Sequence, residues 1–255
     1  AYGTLFGTSY VRDANGNVVV DANGLPKIST TNKTLGKFTP DWTGGISNTF
    51  SYRSLSLSFL IDASVGGSIF SNTNKTGKYT GVLANTLSGR DAEHGGLWYY
   101  TAAMGNNVRL PESPSYSVSS DGLYYAQVNG QSTRVYQDGI MVEGVTESGS
   151  KNEEVVSAEK YYHRIYSIAE ANVYDASYVK LREVALSYRL PRLWTQKLHL
   201  QEASVTLTGR NLWTIYKSVP NIDPESALTT GNAQGVEAYS LPTTRSFGVN
   251  LSVKF

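Results

Sequence analysis

The sequence predicts an all-β protein: an antiparallel segment of a membrane-spanning β-barrel. Three observations carry that expectation. Apolar and polar side chains alternate over stretches of about 11 residues, roughly twice the usual strand. The connections between these stretches are alternately short and very long. The last residues, Arg245 to Phe255, hold the alternation to the final aromatic side chain. Successive side chains of a strand point to opposite faces, so each stretch has one apolar and one polar face. At about 3.3 Å per residue and a tilt of about 45°, about 11 residues rise about 25 Å, the height of the apolar band of an outer-membrane barrel.

Residues 2–12, YGTLFGTSYVR, read as a strand with Tyr2, Phe6 and Tyr10 on one face. Two DANG segments follow at 13–16 and 21–24. Asn-Gly favours a tight hairpin turn because both residues tolerate positive φ. The spacing of Asp13, Asn15 and Asn17 faintly resembles a calcium loop, but the glycine stands in the wrong place, so turns are expected. From Trp42 to Tyr52 the apolar side chains fall on even positions: Trp42, Ile46, Phe50 and Tyr52. Past a turn at Arg53 and Ser54 they move to odd ones, from Leu55 through Leu57, Phe59, Ile61 and Ala63 to Val65. This is a long hairpin.

Residues 66–172 break the pattern, being rich in Gly, Ser, Asn and Tyr, and only SAEKYYHRIYSIAE (157–170) reads as a short helix. So long a connection lies far outside ordinary loop lengths; a long extracellular loop is expected over about 66–176. Strands resume at 177–190. There Val179 and Leu181 are odd while Val184, Leu186, Tyr188 and Leu190 are even, so a bulge near Arg182–Glu183 is expected. Residues 203–215 place Ala203, Val205, Leu207, Trp213 and Ile215 opposite Ser204, Thr206, Thr208 and Arg210. A loop at 216–241 leads to the final strand, where Phe247, Val249, Leu251, Val253 and Phe255 alternate with polar or small residues. Short turns at 53–54 and 191–201 thus alternate with long connections, as in outer-membrane barrels, whose periplasmic turns are short. A barrel's last strand pairs with its first, which explains why the terminus is patterned as ordered strand.

Composition narrows the function. The formal net charge is +1, which gives no electrostatic footprint for nucleic acid. Charged residues make up only 17%, so Ser, Thr, Asn and Gly must supply polarity. Eighteen Tyr against seven Phe suits a membrane interface or a sugar-binding face. With no Cys, disulfides, thiolate metal sites and cysteine nucleophiles are excluded. No apolar run is long enough for a transmembrane helix. No signal peptide opens the chain, so it reads as starting after one or partway through a longer protein.

Several ordered blocks carry a family likeness. YDASYVKLREVALSYRLP (174–191), LTGRNLWTIYKSVPNIDPE (207–225) and LPTTRSFGVNLSVKF (241–255) resemble the C-terminal barrel of the SusC/RagA family, TonB-linked outer-membrane transporters of Gram-negative bacteria. LGKFTPDWTGGISNTFSYRSLSLSF (35–59) and GTSYVRDANGNVVVDANGLP (7–26) resemble the segments that precede it. The resemblance implies a barrel of roughly 22 strands with an N-terminal plug, of which this chain supplies about six strands. Residues 1–255 then read as the C-terminal portion, without the plug domain or the TonB box. It further implies import of oligosaccharides or oligopeptides, a SusD-like surface lipoprotein at the extracellular face, energy from the TonB complex, and a multi-pass location in the outer membrane. No cofactor and no enzyme activity are implied.

Individual residues add little chemistry. His94, His163 and His199 are scattered without metal spacing. Asp223 and Glu225 of the DPE segment are a structured loop motif rather than a glycosidase pair, which needs carboxylates flanking a cleft. Arg210 is expected to face the lumen and Trp213 the aromatic girdle. Lys180 and Arg182 are left between lipid phosphates and the lumen. Asn250 opens a formal glycosylation sequon inside a strand and is set aside. The aromatics of 97–100 with Tyr124 and Tyr125 either stack on sugar rings or pack a loop, the second being preferred. No catalytic, cofactor-binding or metal-ligating residue is assigned, and no substrate-binding residue. Two alternatives stay open: a soluble β-sandwich adhesin or carbohydrate-binding module, and a small autonomous barrel needing further strands within 66–172.

Overall fold

The computed structural model describes residues 3–197, 199–226 and 233–255. Tyr2, expected on the first strand, lies outside them. The chain divides into two compact units: Ala1–Leu5 with Gly36–Ser71 and Tyr174–Phe255, and Phe6–Leu35 with Asn72–Val173. Both are mainly β, and no helix among the described residues is long and apolar enough to cross a membrane.

The first unit is built on a five-stranded sheet of β1 (Trp42–Tyr52), β2 (Leu55–Val65), β3 (Tyr178–Arg189), β4 (Glu202–Lys217) and β5 (Ser246–Lys254). The spatial order is β5-β4-β3-β2-β1 and every neighbour is antiparallel. Register aligns the alternation of all five strands. Phe50, Leu57, Leu186, Leu207 and Val249 form one cross-strand row. Tyr52, Leu55, Tyr188, Val205 and Leu251 form the next. On the opposite face Ser51, Ser56, Ser187, Thr206 and Asn250 make the corresponding polar row. A slip of one residue would scramble both faces, so the pattern itself fixes the pairing.

The apolar face is uncovered. Val249 is 74% exposed, Leu251 65% and Ile46 66%. In water a continuous apolar surface of this kind marks an interaction site. Trp42, Trp213 and Tyr216 stand toward the end with long connections, while Tyr52 and Tyr188 stand toward the end with short turns. The aliphatic rows lie between.

The register slips between Leu181 and Glu183, against both β2 and β4. Leu181 therefore pairs with Ile61 and Val184 with Phe59, so both reach the apolar face despite opposite parity. The expected bulge is there, and Arg182 is its extra residue.

The segment expected as a sixth wall strand does not join this sheet. Thr4–Gly7 pairs instead with Lys33–Lys37 in a separate two-stranded sheet. Beyond it the chain is committed to the 167–170 corner. The Thr8 hydroxyl donates to the Ser167 carbonyl at 2.9 Å and accepts from the Ala169 amide at 2.9 Å. The Tyr10 amide donates to Glu170 at 2.9 Å. Groups so engaged are lost to a long ladder.

In the second unit both DANG segments are tight turns. Asp13 Oδ1 accepts from the amides of Asn15 and Asn17, and Asp21 Oδ1 from those of Asn23 and Leu25. Gly16 and Gly24 take φ of 88° and 76°, which side chains rarely adopt. Strand Gln131–Met141 organises the rest. Its first half pairs with Tyr124–Val128, and its second with Leu97–Thr101 and Val155–Ser157. Trp98, Ala126 and Val135 pack as a core under this sheet. The helix expected within 157–170 spans Ala158–Tyr166. Ser157 caps it by accepting from the Lys160 amide at 3.3 Å.

Candidate functional site

The polar face of the β1–β5 sheet carries its charge near the end with long connections. The bulge there turns Arg182 onto the polar face beside Lys180 of the same strand. Asp62, the lone charge among the serines of β2, pairs with Lys180 across the strands. The loop that follows β4 returns over this face and delivers Asp223, Glu225 and Thr243.

Lys180 is 2% exposed and donates to Asp223 Oδ1 at 2.6 Å and to Glu225 Oε2 at 2.5 Å. Arg182 donates through Nε to Asp62 at 2.5 Å and through Nη1 to Glu225 Oε2 at 2.7 Å. Its Nη2 completes a two-pronged contact with Glu225 Oε1. The Tyr178 hydroxyl donates to the same Oε1 at 2.8 Å. Asp223 also accepts from the Glu225 amide at 3.1 Å and, through Oδ2, from the Thr243 hydroxyl at 2.5 Å and amide at 3.2 Å.

Desolvation of such charges is recovered only when the remaining lone pairs find donors, and here they do. Burial works to raise the Asp223 carboxyl, but hydrogen bonds from Lys180 and Thr243 outweigh it and hold the pKa down at about 2. Burial likewise opposes ionisation of Glu225, and bonds from Arg182, Lys180 and Tyr178 keep it below its ordinary value. Both carboxylates stay charged at any ordinary pH. The arrangement is suited to clamping a loop, not to exchanging protons. Asp62 and Arg182 also border a concavity of about 570 Å³ with Glu183 and Arg210 on the same face.

The remaining residues singled out from sequence fall as follows. Arg210 lies on the polar face and its Nε donates to Glu183 at 2.8 Å. Trp213 lies on the apolar face opposite Leu181 and is largely exposed. Lys180 and Arg182 turn to the polar face. Asn250 stands on the polar face of β5 opposite Thr206. His94 bonds Asp91 at 2.7 Å, His163 stacks on Tyr79 with centroids 4.2 Å apart, and His199 sits in a turn at φ 56°. No group of three or more His, Asp or Glu among the described residues is placed to hold a metal ion. Trp98 and Tyr99 are buried in the second unit, while Tyr124 reaches a cleft of about 560 Å³ there with Arg134, Tyr136 and Asp138. Tyr125 pairs with Arg134 in the strand ladder.

Asp62, Tyr178 and Thr243 were not singled out. Asp62 had a signal, a carboxylate where the hairpin otherwise has serine. Thr243 had none, because its role depends on how the loop returns.

No protein-family model matches the chain. A curated relative, the TonB-dependent receptor P3 of Formosa agariphila, is 26% identical over 259 residues, covering 99% of this chain. The chain spans 20% of that receptor's length. Among solved structures, the RagAB peptide importer in its closed-closed state gives a TM-score of 0.47 at 17% identity, over 99% of this chain and 24% of that one. Its open-open state gives 0.48 at 16% identity, over 99% and 23%. The RagAB peptide transporter gives 0.49 at 16%, over 99% and 22%. The likeness read from the residue blocks is thus borne out: almost from end to end, this chain is similar to one-fifth of a TonB-dependent receptor.

Proposed function

We propose that the β1–β5 sheet is part of the wall of an outer-membrane TonB-dependent transporter that imports oligosaccharides or oligopeptides. The observation that carries this reading is the alignment of five strands' apolar side chains on one uncovered face, opposite a face of Ser, Thr and paired charges. Lipid solvates the first face and the transport lumen the second. An open sheet edge in lipid costs several kcal/mol per unsatisfied group. In this reading the outer edges of β1 and β5 therefore pair with further strands of a barrel of roughly 22. Similarity to a TonB-dependent receptor supports it. The SusD-like lipoprotein at the end with long connections, the TonB complex and the nutrient classes enter through the family resemblance. Residues 66–176 are proposed as an extracellular loop region. No covalent step is part of this function.

The chain has no Cys, so single cysteines report cleanly. A fluorophore on Leu57→Cys or Leu251→Cys is quenched by brominated lipid after reconstitution, and one on Ser56→Cys or Ser252→Cys is not. Equal quenching at all four positions would overturn the assignment.

A further inference from the structure

The two ends of the β1–β5 sheet differ in how they neutralise charge. Toward the long connections Lys37 pairs with Asp41, Lys180 with Asp223, Arg182 with Asp62 and Arg210 with Glu183, while Lys217 and Arg245 make no ion pair among the described residues. Toward the short turns, Arg53 in the β1–β2 turn, Arg192 and Lys197 in the helix Arg192–Lys197, and Lys254 of β5 are exposed and make no ion pair among the described residues. Glu202 is the one acidic side chain in 50–57, 186–204 and 250–254, and it is already bonded to Arg189 at 2.8 Å. Beside these cations Leu193 is 74% and Trp194 58% exposed, and Tyr52 projects from the adjoining strand end. The Arg53 guanidinium lies 5.3 Å from the Tyr52 ring centroid.

We propose that this end of the sheet is a docking surface for the headgroups of anionic phospholipids. Arg53, Arg192 and Lys197 meet phosphate oxygens, and Leu193 and Trp194 enter the acyl boundary. The inference rests on the wall reading above, since the surface is continuous with the face assigned to lipid. Uncompensated cations next to exposed Trp and Tyr are what a bilayer interface accommodates: the rings sit at headgroup depth and long basic stems carry their charge outward. An anionic surface attracts each such cation, whereas at the other end carboxylates stand beside most of the cations and offset their charge.

The test is partition of the full chain from dilute detergent into vesicles of phosphatidylcholine, and of equal parts phosphatidylcholine and phosphatidylglycerol, at low salt. The unaltered chain is expected to favour the anionic vesicles by at least about a hundredfold, each lost cation lowering that preference roughly fivefold. Arg53→Gln/Arg192→Gln/Lys197→Gln/Lys254→Gln should enter both vesicles alike, at the level the unaltered chain shows in the neutral ones. Glu202→Gln, which frees Arg189, should raise the anionic preference. Circular dichroism checks that strand content is unchanged. Equal partition of the unaltered chain, or a preference that survives in the quadruple variant, overturns the headgroup proposal and leaves the wall reading standing. Partition into neither vesicle overturns both.

Discussion

Lys180 and Asp223 are 43 residues apart in sequence and bonded at 2.6 Å, with side chains only 3% and 7% exposed. The pair fastens the segment after β4 to the polar face of the sheet. Removing one partner leaves the other charge buried without compensation, which typically costs about 3–5 kcal/mol. Lys180→Met is therefore expected to destabilise the folded chain by about 3 kcal/mol or more. Lys180→Met/Asp223→Leu should cost less than the sum of its parts by at least about 1 kcal/mol. Urea unfolding in detergent measures the cycle, and additive costs would mean the two charges are separately solvated.

The same clamp has a pH signature. A carboxyl whose pKa falls on folding contributes stability above its unfolded value and loses it as pH falls through the folded one. For Asp223 that window runs from 3.8 down to about 2. Glu225, lowered from 4.5, acts in the same direction. The Thr243 and Glu225 amides, both bonded to Asp223, should lose hydrogen-exchange protection across this window once intrinsic rates are divided out. Asp223→Asn should shrink the pH step and leave the part that Glu225 carries. A step centred near neutrality would point to some other group.

The two faces of β3 predict opposite tolerance to charge. Leu186 lies in the middle of the apolar rows and Ser187 in the polar row behind it. Leu186→Arg is expected to cost about 2–4 kcal/mol of folding free energy in a bilayer, whereas Ser187→Arg on the polar face should cost well under half of that. Folding from urea into phosphatidylcholine vesicles measures both. Comparable costs would contradict a lipid-facing Leu186.

That alternation explains what was legible beforehand. Each strand of the β1–β5 sheet has one apolar and one polar face, so its period of two survives in the sequence and fixes parity, register and the bulge at Arg182. A β-sandwich would have shown the same alternation. What separates them is that Leu57, Leu251 and Val253 are exposed rather than covered by a second layer. Residues 97–157 give no such signal because their strands do not set one dry face against one wet face: Trp98 and Tyr99 are consecutive and each only 5% exposed, while Tyr116, Ser117 and Val118 are all exposed. Lys180 with Arg182, and Asp223 with Glu225, stand out in the sequence as two separate pairs. Their meeting depends on a one-residue slip and a loop's return path, and neither is written in local pattern.

Gly139 tests how tightly those strands are joined. It sits where Gln131–Met141 is flanked by two neighbours, opposite Leu97 on one side and Ser157 on the other. A Cβ there would lie 2.5 Å from the Leu97 carbonyl oxygen and 2.6 Å from Val155 Cγ1. One contact is to backbone and the other to a side chain 1% exposed, so neither yields easily. Gly139→Ala should therefore cost about 1–3 kcal/mol, the usual range for overpacking. Gly248→Ala on β5 is the matched control, because nothing lies within 4 Å of its added methyl. Trp98 is the one tryptophan of the second unit, so its fluorescence isolates the effect once Trp42, Trp194 and Trp213 are replaced by Phe. A Trp98 transition that does not move in Gly139→Ala would mean the three strands part readily enough to admit a methyl group. In that case the ladder at Gly139 would not be what holds this sheet together.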